Sequence, residues 1–160
     1  MVGRDDPAWH ARGLRVVADE LPDAGPLGGI YTAISQSPCD RTLVVACDMP
    51  FLSAGLLRRL ADVDADLVIP RTGRGLEPLC AVYSRRCAGD IHARLMRGEY
   101  EAAKLPAGVR VAEIGVNNDL AFVNVNTPHD YARAKGLIEM EDENRGRIVS
   151  RLDDPPYDGR

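Results

Sequence analysis

Arg41-Thr42-Leu43-Val44-Val45-Ala46-Cys47-Asp48-Met49-Pro50 is the stretch that decides the fold. Leu43 to Ala46 is a short unbroken apolar run, which suits a strand buried on both faces in the middle of a parallel sheet. Pro50 stops the ladder because it has no N–H to give. Asp48 is therefore expected at the carboxyl end of a central strand, where open α/β sheets bind their ligands. A carboxylate there suits a hard cation such as Mg²⁺ held against substrate phosphates. It suits equally a strand-ending Asp that caps the Ser53 helix region or faces water.

Upstream, Pro7 opens a short helix to about Ala11, and Leu14-Arg15-Val16-Val17 reads as a short strand ending near Asp19. Gly25-Pro26-Leu27-Gly28-Gly29-Ile30 enters a helix to about Gln36, with Leu27, Ile30 and Ile34 on one side. A Gly-rich helix entry exposes N–H groups to which phosphate can bind; the alternative is a turn whose glycines allow close packing. Downstream, Ser53 caps a helix to about Leu60. Asp66 to Pro70 and Leu79 to Tyr83 read as strands, with Arg71 to Gly75 a polar loop between them and Arg86 to Arg97 a helix after them. Val109 to Ile114 alternates apolar and charged residues, as a half-exposed edge strand does. Phe122 to Asn126 is β-like, and Thr127-Pro128-His129-Asp130 reads as N-cap, Pro at N1 and capping-box acid. Tyr131, Ala132, Ala134, Leu137 and Ile138 are expected on the packing side of the helix that follows. From Glu141 to Arg160 half the residues are charged, which predicts a disordered tail after one domain over 1–140. Strands alternating with helices predict a three-layer α/β/α sandwich around a mostly parallel sheet.

Twenty Lys and Arg against 24 Asp and Glu give a net charge of −4, which argues against a nucleic-acid surface. No apolar run approaches membrane-spanning length and the N-terminus has no signal-peptide core, so a cytoplasmic protein is expected. Cys39, Cys47, Cys80 and Cys87 form no C-x-x-C pair, which disfavours zinc. Cys47 and Cys80 sit in apolar runs and read as buried hydrophobes. His10, His92 and His129 read as surface residues and Trp9 as packing.

Four segments in order, Gly25-Pro26-Leu27-Gly28-Gly29, Cys47-Asp48-Met49-Pro50-Phe51, Glu77-Pro78-Leu79-Cys80-Ala81-Val82-Tyr83 and Phe122-Val123-Asn124-Val125-Asn126-Thr127-Pro128, resemble the molybdenum cofactor guanylyltransferases, or MobA proteins, which implies a Rossmann-like nucleotidyltransferase sheet. The resemblance implies transfer of GMP from GTP to molybdenum-molybdopterin, with pyrophosphate released and Mg²⁺ present. It implies that Asp48 is the catalytic, metal-binding carboxylate, and that Asp19, like Asp48, acts on the nucleotide side. Gly25 and Gly29 match glycines lining the pterin pocket. Asn124 and Asn126 match a pair that hydrogen-bonds the pterin, amides supplying both donors and acceptors. Cofactor-delivery or insertion proteins are implied as partners.

From the residues alone, Asn124 and Asn126 could simply close a turn before Thr127, and Asp19-Glu20 could be a solvated strand end. Family members also begin with a buried strand and a Gly-rich loop whose Arg and Lys wrap the triphosphate. That loop has no counterpart among these residues, where Arg4, Arg12, Arg71 and Arg74 lie outside any such turn. The expectation is an N-terminally truncated sheet with an exposed apolar edge and poor nucleotide turnover by Asp48 alone. A basic residue that the family often carries after Gly98 is replaced by acids here, leaving Lys104 as the stand-in for phosphate contact. The alternatives are a non-catalytic pterin- or partner-binding module and a nucleotidyltransferase with another acceptor.

Overall fold

In the computed structural model, residues 1–3, 7–117, 119–133 and 135–136 are described. The expected charged tail over 141–160, the basic Arg4 and the helix residues Ala134, Leu137 and Ile138 lie outside that set; Tyr131 and Ala132, expected to pack, are exposed instead. In chain order the elements are α1 (Pro7–His10), α2 (Gly25–Gln36), β1 (Arg41–Val45), α3 (Ala54–Ala61), β2 (Leu67–Thr72), β3 (Gly75–Leu76), β4 (Cys80–Ser84), α4 (Cys87–Met96) and β5 (Val111–Gly115). A 3₁₀ turn, Asp119–Phe122, follows.

Local chemistry accounts for the element boundaries. Pro26 sits in the first turn of α2, where a missing N–H costs nothing, and Leu27, Ile30 and Ile34 form its buried stripe. Ser53 caps α3 by accepting a hydrogen bond from the Leu56 N–H at 3.1 Å. Leu56 and Leu60 then face inward, leaving Arg58 and Arg59 in solvent. In the last helical stretch, which starts at residue 128, the capping box forms as read. Asp130 N–H donates to Thr127 Oγ1 at 3.1 Å, and Thr127 N–H donates back to Asp130 Oδ2 at 3.0 Å.

The sheet departs from the expected parallel arrangement. β4 lies between β1 and β2 and is antiparallel to both, β3 forms a hairpin with β2, and the β2–β5 pairing alone is parallel among these strands. The physical reason is the connection. A parallel return needs a crossover of a dozen residues or more, whereas β2 turns straight into β3 and reaches β4 through a short Glu77-Pro78-Leu79 link. Consequently β1, β2 and β5 run one way and β4 runs against them. The strand expected over Leu14 to Val17 is reduced to a parallel bridge between Val17 and Val2.

Side-chain alternation along β2 and β4 supplies a core on each face of the sheet. Leu67, Ile69, Ala81 and Tyr83 pack with α2 and α4 through Leu27, Ile30, Ile91 and Leu95. Val68, Cys80 and Val82 pack the other way with Leu56, Leu60, Met49 and Phe122. Each large side chain so buried contributes about 1.5–3 kcal/mol. Burial pushes the Cys80 thiol up to about 11, so it acts as a small hydrophobe. Cys47, expected to be buried, is exposed, because the chain has already turned away from the sheet at that point.

β1 is not the central strand that its apolar run suggests. Among the described residues it pairs with β4 along one edge only, and Leu43 and Val45 remain 39% and 41% exposed. The expected half-exposed edge strand is found at β5, where Glu113 pairs with Arg71.

Candidate functional site

Beyond Val45 the ladder continues for one more bond, Ala46 N–H to the Leu79 carbonyl at 2.8 Å, before the chain turns at Cys47 and Asp48. The Asp48 carbonyl then accepts the Val125 N–H at 2.8 Å. That bond ties the 124–126 segment, distant in sequence, to the end of β1. Phe122 anchors the same segment from below. Its ring is 2% exposed, and its carbonyl accepts from Arg74 Nη2 at 3.1 Å.

A cavity of about 650 Å³ runs along the free edge of β1, and Asp19, Gly29, Asp48 and Asn126 all line it. Leu43, Val45 and residues Met1 to Gly3 border it as well. Four of the six residues singled out in the sequence are thereby brought together. The other two stand aside: Asn124 is exposed outside the lining, and Gly25 opens α2 with a left-handed φ of 62°. Gly25 is thus required by its backbone conformation.

Two residues lining the cavity, Asp48 and Thr42, have a buried oxygen without a partner among the described residues, and only that of Asp48, Oδ1, belongs to a carboxylate. A buried carboxylate oxygen left without a donor is costly, and a bound cation removes that cost. Among the described residues no group of three or more His, Cys, Asp or Glu is disposed around a metal. A hard ion that draws most of its ligands from phosphate and water needs only one protein carboxylate, and the unpartnered Asp48 oxygen fits that need.

Asp19 is held differently. Its Oδ1 accepts from Thr32 Oγ1 at 2.8 Å and from the Leu21 N–H at 3.3 Å, while the Glu20 N–H donates to Thr32 Oγ1 at 3.0 Å. Thr32 is completely buried. Gly28, one helical turn before it, lets α2 come this close. A Cβ there would lie 2.8 Å from the Ala24 Cβ and 3.1 Å from the Leu21 carbonyl. At Gly29 a Cβ would meet nothing within 4 Å, so its bareness opens space toward the cavity. Sequence reasoning passed over Gly28 and Thr32. The i, i+4 spacing that puts them on one face of α2 was the available signal.

Lys104, expected as a phosphate contact, donates to Glu99 at 2.8 Å, and Glu99 also accepts from Arg97 at 2.7 Å. Those two cations hold the Glu99 carboxyl down to about 2. None of the three lines the β1 cavity.

Residues 1–111 match the MobA-like NTP transferase domain. This chain belongs to that family. It is 37% identical over 145 residues to a probable molybdenum cofactor guanylyltransferase of Pelotomaculum thermopropionicum, an alignment covering 85% of this chain and 70% of the relative. It is 38% identical over 141 residues to a protein of the same description from Methanothermobacter thermautotrophicus, covering 78% and 71%. Its fold is similar to that of the crystal structure of molybdopterin-guanine dinucleotide biosynthesis protein A from Archaeoglobus fulgidus. The TM-score is 0.66 at 24% identity, over 87% of this chain and 77% of that one. The MobA-like chain is accordingly an α/β nucleotidyltransferase, a class that generally works with a divalent metal.

Proposed function

We propose that this MobA-like chain takes part in molybdenum cofactor synthesis by transferring GMP from GTP to molybdenum-molybdopterin, as the descriptions of its relatives suggest. In that reaction a terminal phosphate oxygen of the pterin attacks the α-phosphorus of GTP. The bond to the β-phosphate bridging oxygen breaks, and pyrophosphate leaves with the electron pair. Such transfer depends on positioning and charge neutralisation more than on covalent help from the protein. Bound Mg²⁺ would neutralise phosphate charge as it develops. Asp48 would hold that ion, and Asp19 faces the nucleotide. Gly29 leaves room for the pterin, Asn126 meets its edge, and Gly25 and Asn124 shape the two segments that reach it. The unpartnered Asp48 oxygen in a cavity shared with Asp19, Gly29 and Asn126 is the observation that carries this reading.

Arg15 is the one side-chain cation among the described residues lining the cavity, so the grip on a triphosphate is expected to be weak within these residues. The whole fold is proposed as one domain over 1–140 in three layers. The direct experiment follows radiolabelled GTP into a molybdopterin product. Asp48→Ala should abolish transfer while leaving molybdopterin binding within a few-fold; a variant that still turns over refutes the metal role.

A further inference from the structure

We infer that Thr32 is the positioning residue of the site, acting through Asp19. This rests on reading Asp19 as a nucleotide-side acid. The hydroxyl of Thr32 is fully buried and engaged on both sides, donating to Asp19 Oδ1 at 2.8 Å and accepting from the Glu20 N–H at 3.0 Å. The Leu21 N–H reaches the same Asp19 oxygen at 3.3 Å. One carboxylate oxygen is therefore held by the protein, and Oδ2 makes no hydrogen bond among the described residues. A carboxylate with free χ angles would present either oxygen to the cavity in several orientations. Two donors on Oδ1, one of them rooted in α2, restrict it to one presentation. The same helix supplies Gly29 to the cavity wall, so Thr32 fixes the acid and the ligand space to a common rigid element.

The glycine before it completes the device. A Cβ at position 28 would stand 3.7 Å from Asp19 Oδ1 and would collide with Ala24, so the seat for Asp19 exists only with a bare backbone there.

The test is a titration of the full chain with Mg²⁺-GTP followed by NMR, which measures affinities as weak as millimolar, with unfolding midpoints recorded in parallel. Thr32→Val should weaken binding about fivefold, the equivalent of one ordinary hydrogen bond, and Thr32→Ser should restore it to within twofold. Asp19→Asn should weaken binding at least as much, and adding Thr32→Val to it should produce no further loss. A merely structural Thr32 predicts the opposite: an unfolding midpoint that falls without any change in affinity, or losses that add in the double variant. Either result overturns the proposal. If Asp19→Asn binds like the parent, the nucleotide-side role of Asp19 fails instead, and the positioning role falls with it. A parent chain that shows no saturable shift overturns the nucleotide reading at its root.

Discussion

Two clefts of similar size open on the same sheet, and they differ in how far their polar groups are already matched. The first is the 650 Å³ cavity along β1 that reaches Asp48; the second, about 730 Å³, lies at the amino ends of β1, β2 and β5. The second is crowded with charge. Yet Asp66 accepts the Arg110 N–H at 2.9 Å and faces the guanidinium groups of Arg110 and Arg86 at 3.6 and 3.9 Å. Arg110 also meets Asp64, and Arg41 and Arg85 donate to backbone carbonyls. Apart from Arg41 Nε, its buried polar groups are matched with one another. The β1 cavity instead holds two buried oxygens without a partner among the described residues, Asp48 Oδ1 and Thr42 Oγ1. Uncommitted polar atoms, and not volume, mark the place where a ligand completes the structure.

Substitutions on either side can break this contrast. Removing the Phe122 ring should have the largest effect, costing about 3–5 kcal/mol as a filled core site is emptied. The same change loosens the segment held to Asp48. Thermal unfolding measures the loss, and a shift of less than a few degrees would mean that Phe122 does not anchor the segment. Asp48→Asn should reduce metal-dependent nucleotide binding about a hundredfold with the melting temperature unchanged or raised, because a costly buried charge is neutralised. Asp66→Asn should do the reverse, lowering the melting temperature and leaving binding intact. Equal behaviour of the two variants would erase the distinction between the clefts.

Gly28→Ala should cost about 1–3 kcal/mol through overpacking, whereas Gly29→Ala should leave stability nearly unchanged and impair only ligand entry. Circular dichroism melts of the pair give the comparison directly. The smallest effect concerns pH. The Arg110 N–H, together with the Arg110 and Arg86 charges, holds the Asp66 carboxyl below its ordinary value despite the opposing effect of burial. Its contribution to stability is therefore complete above the ordinary pKa of about 3.9. It disappears as pH falls through the lowered folded value. Asp66→Asn should flatten that acid limb, and an unchanged profile would assign acid sensitivity to other carboxylates.

Much of the architecture could be read from residue pattern because the deciding signals are local. The Ser53 cap, the Thr127–Asp130 box, Pro26 and the Leu27–Ile30–Ile34 stripe all act within a turn or two of helix. Sheet order is a different kind of information. The Leu43–Ala46 run predicts burial on both faces, but no residue within it records which neighbours are present, and β1 ends with one open edge. The antiparallel β4 was hidden for a similar reason: a two-residue hairpin partner, Gly75–Leu76, looks like the polar loop that precedes it. At the site, the family resemblance pointed to Asp19, Gly25, Gly29, Asp48, Asn124 and Asn126, of which the cavity gathers all but Gly25 and Asn124, whereas Thr32 looks like any polar residue of a surface helix. Only the approach of α2 to the Asp19 turn, which Gly28 permits, reveals that its hydroxyl is buried.

The proposed role of Asp48 is to hold a divalent ion at the β1 cavity. Paramagnetic broadening of backbone amides by Mn²⁺ in the presence of GTP tests it most directly. Loss of signal should centre on Cys47, Asp48, Met49 and Val125 and vanish in Asp48→Asn. Broadening that persists in that variant, or that centres on Asp64 and Asp66 in the opposite cleft, would contradict it.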